Sequence, residues 1–181
     1  MSPFRRSVLA AALAAFALLA LSGCAPTVPL EAAPDAADPE CAEVIVRLPS
    51  AIEDAAQRDA GTDPAGLWLK RETNAQGTGA WGNPAAILLR CGVPVPGPST
   101  LLCVSLDGID WLRDDSKAPN YIFTTYGRDP AVEVVVDGDR ASGTNALVAL
   151  RLAVGSIPAT GACTNPDDVL GVPEPTPSPT P

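Results

Sequence analysis

Histidine is absent from the chain, and that absence removes the usual general base, the Ser-His-Asp and Cys-His arrangements, and the commonest zinc ligand. Lysine is nearly absent too. Lys70 and Lys117 are the only two, and the arginines are scattered, so the clustered cations that bind nucleic-acid phosphates are missing. No Cys-x-x-Cys occurs, which removes the commonest redox and metal spacing. No metal site and no cofactor is expected from these residues. The longest apolar run, Val8 to Leu21, has 14 residues, whereas a helical span of a bilayer needs about 20, so it is too short to be a permanent crossing.

That run has another use. Arg5 and Arg6 precede it and the small residues Ser22 and Gly23 follow, the order of a cleaved export signal over residues 1–23. Leu21-Ser22-Gly23-Cys24 is similar to the lipobox of bacterial lipoproteins, in which the cysteine is acylated, with chains of the palmitate type, and becomes the new N-terminus. Each buried methylene contributes about 0.8 kcal/mol, and two acyl chains hold a protein where one lets it exchange off. The expected location is therefore the cell membrane, lipid-anchored through Cys24, on the extracytoplasmic side.

After removal of residues 1–23, ten basic residues face 21 acidic ones, with the excess acid on the two ends. Residues 24–40, rich in Pro, Ala and acid, show no apolar period and read as a lipidated, disordered tether. Extended, they would hold the domain up to about 50 Å from the membrane. Residues 166–181 carry proline at alternate positions from Pro173 and read as a disordered Pro-rich tail. Between them, residues 41–165 are long enough for a single domain.

Within that domain, "EVIVRLP" reads as a first strand, and Ser50 with Glu53 as a capping box that opens a short helix ended by Gly61. The stretch from Thr62 to Gly82 is irregular apart from a short strand at Leu67 to Arg71. "AAILLRCGV" reads as a strand. Asp107-Gly108 is a two-residue hairpin turn between "LLCVSL" and "IDWL", because both central positions need positive φ. "YIFTTYG" and "AVEVVVD" form a further antiparallel pair. Leu147, Leu150 and Val154 share a face of a helix from about Thr144, closed by Gly155 and Pro158. The expectation is an α+β fold: an antiparallel sheet of four to five strands with the early and C-terminal helices packed on one face.

The stretches "CAEVIVRLP", "AWGNPAAILLRCGVPVP", "LDGIDW", "YGRDPAVEVVV" and "CTNP" resemble the actinobacterial family catalogued as domain of unknown function 3515, over roughly residues 41 to 163. The resemblance implies a small exported or lipid-anchored envelope protein with no established reaction.

With Cys24 assigned to lipid, Cys41, Cys91, Cys103 and Cys163 remain in an oxidising space, so two disulfides are expected, with three connectivities open. The favoured one joins Cys91 to Cys103 and Cys41 to Cys163. Asp107 with Asp110, Asp114 with Asp115, and Asp137 with Asp139 are carboxylate pairs suited to acid-base work or calcium, but turns want the same residues for backbone reasons. Trp68 and Trp111 read as core or sheet-face residues. Trp81, Arg90, Tyr126 and Arg128 are the ligand-binding candidates, since aromatics and guanidiniums stack on or fork onto a carbohydrate or an anionic polymer. The leading functional expectation is a non-catalytic binding or assembly module for an envelope polymer or a membrane-protein partner. The alternative is a carboxylate-dependent cell-wall hydrolase.

Overall fold

The structure, a computed structural model, describes residues 26–54, 63 and 65–164. The expected signal, Cys24 and the Pro-rich tail lie outside the described residues. Among the described residues, two helices, α1 (Pro39–Val46) and α2 (Gly143–Val154), accompany eight strands: β1 (Ala51–Glu53), β2 (Leu67–Arg71), β3 (Thr78–Trp81), β4 (Ile87–Val93), β5 (Leu102–Leu106), β6 (Ile109–Asp114), β7 (Asn120–Thr125) and β8 (Ala131–Asp137). They form one antiparallel sheet in the order β1-β2-β3-β4-β8-β7-β6-β5. The α+β class and the antiparallel sheet agree with the sequence reading; eight strands replace the expected four to five. Strands β1 and β3 account for much of the difference. Both are short, and β3 lies in the Gly-rich stretch, where "TGAW" carries no run of β-branched residues.

The start of the domain also differs. "EVIVRLP" was expected to be a strand and a helix to run from Ser50 to Gly61; Pro39–Val46 is a helix and Ala51–Glu53 a strand, and residues 55–61 of the expected helix lie outside the described residues. The reason lies upstream of the β-branched residues. Asp38 caps the helix by accepting from Glu40 N at 2.8 Å, Pro39 occupies the first turn, and Glu40 places negative charge there. Cys41 and Val44 then fall on one buried face, while Val46 is left 76% exposed. Ser50 does not cap a helix: its carbonyl accepts from Lys70 N at 2.9 Å, and Ile52 beside it is buried opposite Trp68.

The later turns follow their local chemistry. Asp107 and Gly108 take φ of 49° and 77° between β5 and β6, as the hairpin reading requires. Ser142 caps α2 by accepting from Asn145 N at 3.3 Å, and Leu147, Leu150 and Val154 are buried on its inner face. Both helices cover the same side of the sheet. There Ile87, Leu89 and Cys91 of β4 meet Val136, Val134 and Val132 of β8 across the ladder, with Trp81, Trp111 and Phe123 completing the core.

The opposite side of the sheet is covered by the chain that precedes α1. From Pro26 onward, the stretch expected as a disordered tether lies against the domain as a strap. Val28 N donates to Glu72 O at 2.8 Å, Leu30 N to Asn74 Oδ1 at 2.7 Å, and Asp35 N to Gly92 O at 3.0 Å. Ala33 and Ala36 are buried with Val93 and Ala131.

Gly92 makes this crossing possible. Its φ is +87°, and a Cβ there would stand 2.3 Å from the carbonyl carbon of Asp35. Gly92→Ala is expected to cost about 2 kcal/mol through backbone strain and loss of the strap contacts. The fall should appear as a lower urea midpoint, together with new proteolytic cuts between residues 26 and 38.

Both disulfides form, with a different pairing from the favoured one: Cys41 with Cys91 and Cys103 with Cys163. Cys91 lies on β4 and Cys103 on β5, with β8, β7 and β6 between them. Four strand spacings amount to about 19 Å. A disulfide reaches only about 7 Å between Cα atoms. Nearness across a 12-residue connection in the sequence is thus undone by the strand order.

Candidate functional site

The four residues proposed from sequence are not brought together. Trp81 is fully buried in the core, packed near Leu48, and its indole Nε1 donates to Pro49 O at 3.0 Å. Arg128 is also buried, at 6% exposure, and acts as a clasp between loops: its guanidinium donates to Ile157 O and, at 3.2 Å, to Gly108 O. Burial pushes its pKa below the ordinary arginine value while the Asp110 carboxylate opposes the shift, and the group remains a cation. Asp110 in turn accepts from Cys163 N at 2.7 Å. Tyr126 lines a concavity of about 400 Å³ with Leu101, Leu102 and Leu112 beside the Cys103–Cys163 bridge. Of the four, Arg90 reaches the larger concavity. Trp68 and Trp111 are core residues, each fully buried.

The concavity lies beneath the strap. On β4, Leu88 and Arg90 alternate with the core residues Ile87 and Leu89, so they face the other way. Their cross-strand partners on β8 are Val135 and Glu133, and Ile122 of β7 pairs with Val135. Pro29, Leu30 and Glu31 pass over this surface, and the space enclosed, with Asn74, Lys117 and Asn120 at its rim, is a groove of about 780 Å³. That size is in the range of small-ligand sites.

The groove combines an apolar floor with paired charge. Leu88, Ile122 and Val135 supply the floor. Across it, Arg90 binds Glu133 through two nitrogens on one oxygen, Nη2 at 2.8 Å and Nε at 3.0 Å. The Arg90 side chain keeps 37% of its surface exposed, against 17% for Glu133, so the guanidinium is the more accessible partner. Lys117 adds a second cation. An extended ligand can lay apolar atoms on the floor and turn acidic or hydroxyl groups toward Arg90, Lys117 and the two asparagines.

The sequence carried one signal for this groove. "AAILLRCGV" and "AVEVVVD" are apolar at nearly every position, and a strand apolar on both faces asks for cover on both. The helices satisfy one face only. What covers the other could not be seen, because the strap segment has no apolar periodicity and contacts β4 only through tertiary folding.

The carboxylate pairs are engaged in local structure. Asp107 occupies the hairpin turn, Asp114 Oδ1 accepts from Ser116 N at 2.8 Å, Asp115 pairs with Arg113 at 2.6 Å, and Asp137 accepts from Asp139 N at 3.2 Å. The Ser116 backbone and hydroxyl bonds, with the nearby Lys117 charge, hold the Asp114 carboxyl below its ordinary pKa. Among the described residues, no group of three or more His, Cys, Asp or Glu side chains stands in metal-binding arrangement. Among them also, no helix is long and apolar enough to cross a membrane.

A family model described as "Protein of unknown function (DUF3515)" matches residues 7–161. No curated protein and no solved structure matches the chain.

Proposed function

The chain belongs to the DUF3515 family of proteins of unknown function, and from that premise we propose that it is an exported, lipid-anchored cell-envelope protein that works by binding rather than catalysis. Its site is the groove beneath the strap, and its ligand is a segment of an anionic envelope polymer. The groove itself is the observation that carries this reading: an accessible guanidinium beside an apolar floor, roofed by a segment of the same chain.

Two observations support the location. Leu21-Ser22-Gly23-Cys24 follows a short charged and apolar block in the order that acylation needs. The remaining cysteines are consumed in two bridges, which persist in oxidising compartments and are rare in the cytosol. The alternative of a carboxylate-dependent hydrolase gains no comparable support, since the acids singled out for it are spent on turns, on surface pairs and, for Asp110, on Cys163 N beside Arg128.

The test is calorimetric titration of the mature protein with soluble cell-wall fragments, in phosphate-bearing and neutral preparations. Arg90→Ala is expected to weaken binding of the phosphate-bearing fragments at least about tenfold, the loss of one charge-assisted contact. Its effect on stability should stay within about 1 kcal/mol, because the Arg90–Glu133 pair is partly exposed. Equal affinities for the wild type and the variant would remove the groove as the site.

A further inference from the structure

The strap is ordered almost to the point of acylation. Arg71 Nη2 donates to Pro26 O at 2.7 Å, Val28 forms a parallel bridge with Thr73, and Leu30 is tied to Asn74, so alternate residues from Pro26 are fastened beside the end of β2. Only Ala25 separates Pro26 from Cys24. Two residues span at most about 7 Å. The lipid therefore leaves the protein next to Arg71, in place of the 50 Å reach of a free tether.

The surface at that point suits a bilayer. Trp68 is buried on the helix-covered side, so alternation along β2 puts Leu69 and Arg71 together on the strap side. Leu69 is 48% exposed, an apolar side chain about 7 Å from Arg71 along the strand. Lys70, one of the two lysines in the chain, is exposed and by the same alternation projects from the other face of this edge, so a bilayer met edge-on has an apolar group on one face and a cation on the other. At the opposite side of the sheet, the outer face of α2 exposes Leu152 at 70%, with no comparable link to the N-terminus.

We propose that the acylated N-terminus presses the β1–β2 edge of the sheet onto the membrane, with Leu69 in the headgroup interface and Lys70 among the lipid phosphates. This rests on the lipid-anchor reading and deepens it. A consequence concerns the groove. Pro29 begins its roof three residues after Pro26, about 10 Å along the strap, so the site opens close to the bilayer and meets ligands that are themselves membrane-attached.

The experiment uses the acylated full-length protein purified from membranes, with Leu69→Cys and Leu152→Cys variants labelled by a polarity-sensitive fluorophore without reduction of the disulfides. Intact mass spectrometry comes first. A Cys24 without diacylglycerol overturns the anchor, and the orientation with it. The acylated variants are then placed on phosphatidylcholine–phosphatidylglycerol vesicles carrying headgroup nitroxide lipids. At least twofold quenching is expected at position 69 and less than one-tenth at position 152. Equal quenching overturns the orientation while leaving the anchor intact. Inserting ten Gly/Ser residues between Ala25 and Pro26 should abolish the difference; quenching that persists at position 69 overturns the claim that the short connection sets the orientation.

Discussion

Replacing Cys41 and Cys91 together by alanine is expected to lower the stability of the domain by about 4 kcal/mol. Chain-entropy reasoning gives this size for a loop of 50 residues, and the Cys103–Cys163 loop of 60 residues gives nearly the same. The Cys41–Cys91 bond has the more specific task. It fastens α1, a helix of eight residues, to the central strand β4, and a helix that short has little stability of its own. Both sulfurs are buried, so the double variant also leaves unfilled volume between helix and sheet. Urea unfolding of the oxidised wild type and the variant measures the loss, and peptide mapping without reduction checks the pairing. Fragments joining Cys41 to Cys163 would contradict the topology itself. A stability change below about 1 kcal/mol would mean that α1 is held by packing alone.

The second large effect belongs to Asp54, a residue expected from the sequence in the first turn of a helix and found instead directly after β1. Its carboxylate is 1% exposed at the end of β1 and gathers three donors: Ser142 N at 2.7 Å and Trp68 Nε1 at 3.5 Å on Oδ2, and Asn145 Nδ2 at 3.2 Å on Oδ1. Ser142 and Asn145 open α2, so the anion sits where the helix dipole favours it. Asp54→Ala leaves the buried Trp68 indole and the half-buried Ser142 N without their acceptor, while the exposed Asn145 turns to water, and the expected cost is about 3 kcal/mol, or about 10 °C in Tm. Asp54→Asn should cost less than half as much. Its amide oxygen can take the two bonds on the Oδ2 side, and Asn145 can turn its own oxygen to the new NH₂ group. Thermal melts of the pair decide it: similar losses in both variants would show that the charge, rather than the hydrogen-bond network, is what α2 needs.

How legible the fold was depends on the range of the forces involved. The Asp107-Gly108 hairpin, the pairing of "YIFTTYG" with "AVEVVVD", and the late helix, expected from about Thr144 and found from Gly143, rest on neighbours within a few residues, and all are present. The exchange of helix and strand over residues 39–53 shows where local signals compete. "EVIV" favours a strand and Ser50-x-x-Glu53 a helix. The Asp38-Pro39 start together with the Cys41 bridge overrides the first; ladder pairing of Ala51–Glu53 with β2 overrides the second.

The candidate site was legible only in Arg90. Trp81 and Arg128 are rare, chemically capable residues, and rarity pointed to function; their surroundings turn them into a core ring and a loop clasp. Composition and spacing say which groups a chain possesses but not which of them it buries.

What the sequence by itself determined, then, is the set of short-range outcomes: the α+β class, the antiparallel hairpins, the late helix, and a cysteine count suited to two bridges. The tertiary structure alone decided which cysteines meet, that the acidic Pro-Ala stretch from Pro26 becomes a strap, and that Arg90 and Glu133 share a groove. These outcomes depend on strand order and on what lies over each face of the sheet. Both arise from contacts between residues tens of positions apart, whose free energy exists only once the chain has closed on itself.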